Sequence, residues 1–140
     1  MRLVLDTNVV VAALRSPTGA SAALVRCALQ RRFTLLLSVP LALEYEAVCV
    51  DPAQRIASGL GEAEVDTIIS ALCAVAEPVR GSFLWRPQLR DANDEMVLET
   101  AVNGVASALV TFNRRDFGDA PDSFGIRLLS PPQALKRISQ

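Results

Sequence analysis

The sequence predicts a single α/β domain in three layers, with helices on a central, mainly parallel sheet. Three observations carry that expectation. At 140 residues and 51% hydrophobic content, the chain has the length of one domain (1–140) and enough apolar side chains to bury one core. Short, nearly continuous apolar runs such as RLVL and FTLLLS suit strands covered on both faces. These runs alternate with stretches whose apolar residues recur at helical spacing, the order that βαβ units produce.

Residues 2–5 (RLVL) read as a short buried strand. Residues 8–14 (NVVVAAL) read as a helix that the turn-forming Ser16, Pro17, Thr18 and Gly19 bring to an end. A second helix is expected over 20–31, where Ala23, Leu24, Cys27 and Ala28 keep helical spacing, and a second buried strand over 33–38. Pro40 suits the first turn of a helix running to about Val50 and carrying Glu44, Tyr45 and Glu46. Helices follow over 52–59 and 62–76. From 78 to 90 the chain reads as irregular or a short strand, with Arg80, Arg86 and Arg90 and no acid. A helix from Ala92 or Asn93 to Val102 and a strand over 106–111 come next. A loop with Asn113, Arg114, Arg115 and Asp116, a strand over 126–129 and a helix from Pro132 close the pattern.

Composition narrows the chemistry. The chain has no histidine, which excludes Ser-His-Asp and Cys-His nucleophiles, paired-histidine ribonuclease chemistry and HExxH zinc hydrolysis, since each needs an imidazole. Cys27, Cys49 and Cys73 lie in apolar stretches without CxxC spacing, so buried thiols in a reducing, cytoplasmic setting are expected. No apolar run reaches the ~18 residues of a membrane span, and Asp6 comes too early for a signal peptide. With a net charge of −1, the footprint of a protein that coats nucleic acid is missing, and any polyanion must be met locally. All but one of the 14 basic residues are Arg, the exception being Lys136, and this favours bidentate phosphate contacts wherever they cluster.

The strand in LVLDTNVV ends on Asp6, a carboxylate at the edge of an apolar layer that is costly unless something compensates it. In a parallel α/β sheet, ligands bind beyond the carboxyl ends of the strands, and other acids fall where they would join Asp6. These are Glu44 early in a helix, Asp91 and Asp94 at a helix start, and Asp116 after a later strand. Singly, each has an ordinary explanation: Asp6 as a helix N-cap, Asp91 with Asp94 as a capping arrangement with an acid three residues after the cap, Glu44 and Glu46 as solvated helix residues, Asp116 paired with Arg114 or Arg115. Collected at one edge they would repel one another and raise their own pKa values unless a divalent cation neutralised them. Oxygen ligands without His or paired Cys point to Mg²⁺ or Mn²⁺, ions that typically act on phosphate esters.

The segments LDTNVVVAAL, SVPLALEYEAV, DANDEMVLETA and LVTFNRRDF stand in the order and spacing of a PIN-domain ribonuclease. From residue 2 to about 136 the chain resembles the PIN toxins of toxin–antitoxin modules, the VapC-like group. The resemblance implies a PIN-like α/β/α sandwich with Asp6, Glu44, Asp94 and Asp116 as the catalytic acids. Asp6, Asp94 and Asp116 would hold Mg²⁺ or Mn²⁺, and Asp91, Asn8, Thr111 and Asn113 would support them. One departure is Asn113, which stands where many relatives carry an acid after the strand.

Arg86, Arg90, Arg114 and Arg115 are the candidates for RNA backbone contacts, and Trp85 or Phe112 for base stacking. The resemblance also implies an antitoxin partner, with the apolar stretches 20–29 and 42–50 as hypothetical docking faces, and a homodimer is expected to cover part of the apolar surface. The competing reading is a PIN-fold module that binds antitoxin or RNA without cutting, and Asn113 favours it. A phosphatase of the haloacid dehalogenase type would need Asp at position 8, where the chain has Asn.

Overall fold

The computed structural model describes residues 1–81 and 88–139. Five strands, β1 (Arg2–Leu5), β2 (Thr34–Leu37), β3 (Glu77–Pro78), β4 (Ala108–Val110) and β5 (Arg127–Leu129), pair in the order β3-β2-β1-β4-β5. Every one of these pairings is parallel, so the expected mainly parallel sheet is wholly parallel among the described residues. The central strand shows why its sequence is so apolar. Leu3, Val4 and Leu5 have no exposed surface, with Leu3 in register with Leu35 on one side and Ala108 on the other.

Nine helices join and cover the strands: α1 (Thr7–Arg15), α2 (Ala20–Leu29), α3 (Val39–Cys49), α4 (Pro52–Ser58), α5 (Glu62–Val75), α6 (Ala92–Asn103), α7 (Arg114–Phe117), α8 (Ala120–Ser123) and α9 (Pro131–Ile138), counted among the described residues. This is the α/β/α arrangement expected from the sequence. Most boundaries follow local capping chemistry. Ser38 accepts from the Leu41 amide at 3.3 Å to start α3, and Ser130 and Gln133 form a reciprocal capping box that starts α9 at Pro131, one residue before the expected Pro132. Gly104 ends α6 where a Cβ would lie 2.9 Å from both Leu36 Cδ1 and Val79 Cγ2, so only glycine lets the chain turn so close to the sheet.

Three expectations need correction. The loop over 113–116 is a one-turn helix, α7, and a second such turn, α8, follows it; four residues are too few to display a period. Cys73 is exposed, on the outer side of α5, whereas Cys27 and Cys49 are buried as expected. The stretch 20–29 is no docking face: Ala22, Leu24, Val25, Cys27 and Ala28 are buried, and α2 packs against α1, α5 and α9. In the stretch 42–50, Leu43 is exposed but Tyr45 and Cys49 are core. Trp85 and Arg86 lie outside the described residues. No helix among the described residues is long and apolar enough to cross a membrane.

The strand order positions the site. The chain goes from β1 outward to β2 and β3, then returns to place β4 on the other side of β1, so the order reverses between β1 and β4. Such a reversal opens a crevice at the carboxyl ends of the two strands, because the connecting helices leave in opposite directions. Asp6 follows β1 and Thr111 follows β4, and the Asp6 amide donates to the Val110 carbonyl at 2.9 Å, extending the ladder by one bond. Helices that connect parallel strands begin at this same edge, which brings the first turns of α3 and α6, and the whole of α7, to the crevice.

Candidate functional site

Asp6 occupies the N-cap position of α1, yet its side chain makes no capping bond, which corrects the simple capping explanation. Its Oδ2 instead accepts from the Thr111 hydroxyl at 2.7 Å, across the crevice. Asp6 is 6% exposed and Thr111 is wholly buried, so this bond is made inside the protein. Burial pushes the Asp6 carboxyl above the ordinary carboxylate range. The Thr111 hydroxyl and the Thr7 amide pull it back, and the charges of Glu44 and Asp116 push it up again. No cationic side chain balances it: among the described residues the ion pair is Arg2 with Glu77, at the opposite end of β1.

Glu44 reaches the same edge from α3. The Thr7 hydroxyl donates to its Oε2 at 2.6 Å, tying the residue after Asp6 to the helix opposite. The next residue, Tyr45, is fully buried and donates its hydroxyl to the carbonyl of Leu5, the last residue of β1. Burial, followed by the charges of Asp6 and Glu44, holds the Tyr45 phenol well above its ordinary pKa, so it stays a donor. Thr7 and Tyr45 are the two positioning residues that the acid pattern did not reveal. The available signal was a lone tyrosine in EYE within an apolar helix, since a buried phenol must find a partner.

On the other side, Asp94 sits in the first turn of α6. Its carboxyl is pushed up to about 6, first by burial and then by the charges of Asp6, Asp91, Asp116 and Glu44. The four acids singled out in the sequence therefore feel one another. Asp91 is the N-cap of α6 and accepts from the Asn93 amide at 2.7 Å. It also lines, with Asp94, Asp116, Arg90 and Arg115, a cleft of ≈ 480 Å³. Asp94 takes no part in a capping box; its neighbour Glu95 folds back to accept from the amides of Gln88 and Leu89 at 2.8–3.0 Å.

Thr111 also accepts from the Asn113 amide at 2.9 Å, which fixes the start of α7. Asn8 approaches more loosely, its Nδ2 lying 3.5 Å from the Thr111 hydroxyl and its Oδ1 3.5 Å from the Phe112 amide. Asn113 is the N-cap of α7 by position, without a side-chain cap bond, and Asp116 pairs with neither Arg114 nor Arg115. Phe112 is 53% exposed at the rim, a position from which a ring can stack.

The donors that converge here are carboxylate, hydroxyl and amide oxygens, the set that a hard cation takes. Among the described residues, no three acidic or thiol side chains are grouped closely enough to grip an ion by themselves. A hydrated Mg²⁺ asks less of a protein than a closed cage, since it keeps several waters and takes one or two carboxylates. Buried Asp6, with no cationic partner among the described residues, suits a hard cation.

Comparison with known proteins bears on this edge of the sheet. A family model described as PIN domain matches residues 2–115, ending one residue before Asp116. No curated protein and no solved structure matches the chain.

Proposed function

The chain belongs to the PIN domain family, whose members are generally nucleases, and from that premise we propose that it is a Mg²⁺- or Mn²⁺-dependent endoribonuclease. The observation that carries this reading is the set of four acids, Asp6, Glu44, Asp94 and Asp116, whose charges reach one another at the switch point of the sheet and none of which is ion-paired among the described residues. In this reading Asp6, Asp94 and Asp116 would hold the ion, directly or through its own waters, since no three acids close on one point among the described residues. When bound, it supplies charge neutralisation and an acidified water for phosphodiester hydrolysis. Thr111 fixes the orientation of Asp6, and Thr7 fixes that of Glu44, which orients the water or completes a second metal position. Asn8, Asp91 and Asn113 support this arrangement from the rim. Arg90, Arg114 and Arg115 meet the substrate backbone, and Arg86 is assigned there from sequence alone. Because external water attacks, the products carry 5′-phosphate and 3′-hydroxyl ends.

The biological setting we propose is that of a toxin restrained by an antitoxin. The sequence resemblance supports it, as does apolar surface on α3, where Val39 and Leu43 are 72% and 61% exposed. A homodimer is the further expectation for this surface. A cytoplasmic location accords with the absence of a membrane-crossing helix among the described residues. The second reading, a PIN fold that binds RNA or antitoxin without cutting, is favoured by one feature: Asn113 adds a neutral amide where an acid would add charge.

The test is incubation of single-stranded RNA with the protein in Mn²⁺, Mg²⁺ or EDTA, with end-group analysis of the products. Metal-dependent internal cleavage leaving 5′-phosphates is the expected result. Binding without cleavage in any metal would favour the second reading.

A further inference from the structure

Beyond the acidic cleft, the C-terminal part of the molecule carries a second feature of opposite sign. Arg114 of α7, Arg127 of β5 and Arg137 of α9 line a groove of ≈ 450 Å³. Arg137 then continues into a further hollow of ≈ 310 Å³ that Lys136 also lines. The groove and the acidic cleft share Gly118 and Asp119 as walls, and the groove and the further hollow share Leu129, Gln133 and Arg137, so the three depressions adjoin one another over the surface. Gly118 makes the junction with φ 51° and ψ −132°, a conformation that only glycine adopts readily.

All four cations are exposed, and none is ion-paired among the described residues. The acids facing them in the groove are Asp119 and Asp122, so four positive groups meet two negative ones in a chain whose net charge is −1. Ordinary structural roles cover part of this set. Lys136 and Arg137 lie in the last turn of α9, where they complement the helix dipole, and Arg127 lies on an edge strand, where charge discourages edge-to-edge pairing. Neither role accounts for a single groove that gathers cations from three separate elements beside the acidic cleft.

We propose that this groove, through Arg127, Lys136 and Arg137 together with Arg114, binds the phosphate backbone of the single-stranded RNA whose scissile bond lies in the acidic cleft. The proposal rests on the nuclease reading above and extends it. The acids repel the polyanion at the point of reaction, and the cations beyond Gly118 hold the flanking strand. Exposed guanidinium groups suit phosphate oxygens because they present paired donors in a fixed plane. An apolar protein segment would find little in this groove beyond Ile126, Leu128 and Leu129.

The test is the salt dependence of binding to a fluorescein-labelled 20-nucleotide oligouridine, followed by anisotropy in EDTA so that cleavage plays no part. Replacing Arg127, Lys136 and Arg137 together by Gln should weaken binding about a hundredfold near 0.1 M salt. The slope of log K against log salt should fall by about 2, since each phosphate contact on a single strand contributes about 0.7. The paired variant Arg127→Lys with Arg137→Lys keeps the charge and should keep both affinity and slope. Each single Gln variant should lower the slope by about 0.7, which provides the result even if the triple variant does not fold. An unchanged slope in the Gln variants would overturn the groove, as would equal losses in the Lys and Gln variants. Polyglutamate binding that depends on these residues, with RNA binding unaffected, would overturn it in favour of an acidic protein partner. Absence of cleavage by the unaltered chain in Mn²⁺ would remove the nuclease reading while leaving the binding result to stand.

Discussion

The two halves of the acidic site are built differently. Asp6 and Glu44 are held by hydroxyl groups, at 2.7 Å from Thr111 and 2.6 Å from Thr7, and are backed by a buried tyrosine that ties α3 to the end of β1. Asp94 and Asp116 stand in the first turns of α6 and α7, on the wall of an open cleft, with no hydrogen bond to either carboxylate among those described. One half is tied to the core by these bonds, and the other has no such tie among the described hydrogen bonds. This division explains how the protein tolerates a concentration of like charge: the carboxylate that suffers most from burial is also the one given hydroxyl and amide donors.

Breaking the rigid half should have the largest effect. Asp6→Asn is expected to lower metal-dependent RNA cleavage by more than about a hundredfold, beyond what the loss of an outer-shell partner usually costs. The same change should raise the melting temperature of the metal-free protein, because it removes a buried negative charge that burial and the neighbouring acids disfavour. If thermal denaturation showed the variant unfolded, Asp6 would be structural first and functional second.

Thr111→Val keeps the shape at a buried position but removes the donor to Asp6 and the acceptor for the Asn113 amide. A loss of about ten- to a hundredfold in cleavage rate is expected, as for other outer-shell partners of a metal ligand. Asp116→Asn, on the open half where the carboxylate would meet the ion through water, should cost about tenfold, at the low end of that range. Steady-state rates of the two variants, measured side by side, would invert the comparison if Asp116 proved the more costly of the two.

Tyr45→Phe tests whether the phenol is what joins the halves of the rigid side. It leaves the Leu5 carbonyl buried without its donor and should cost about 1–3 kcal/mol of stability, read from urea denaturation. A change within error would mean that packing of the ring, which Phe retains, is enough.

A smaller effect is expected with pH. The folded protein holds Asp94 at about 6, above its value in an unfolded chain, so between these two values the folded state binds more protons. This contribution therefore favours the fold at low pH, declines as pH rises and is lost above about 6. Asp94→Asn should remove that part of the drift in melting temperature of the metal-free protein, and a profile identical to the unaltered chain's would contradict the assignment.

The acids of both halves were legible in the sequence, and the groups that hold the rigid half were not. A strand as apolar as LVL can end on a carboxylate only at an edge with a purpose, and Asp6, Glu44, Asp94 and Asp116 fall at that edge by the logic of a parallel sheet. The hydrogen bonds of Thr7 and Tyr45 were not legible, because they span 37 and 40 residues and depend on how α3 docks. Nor were α7 and α8, whose single turns owe their position to Thr111 and Gly118 more than to any period of their own. The groove that Arg127 and Arg137 share could not be anticipated for a similar reason. It exists only once an edge strand and a terminal helix are folded beside Arg114.

We propose that the four acids, none ion-paired among the described residues, form a cation site with Asp6 at its base. Thermal denaturation of the unaltered chain and of Asp6→Asn across a Mn²⁺ titration at pH 7 tests it most directly, since an ion that binds only the folded state raises the melting temperature with its concentration. The expected result is a saturable rise in the unaltered chain and little or none in Asp6→Asn. An equal rise in both proteins, or none in either, would contradict the account.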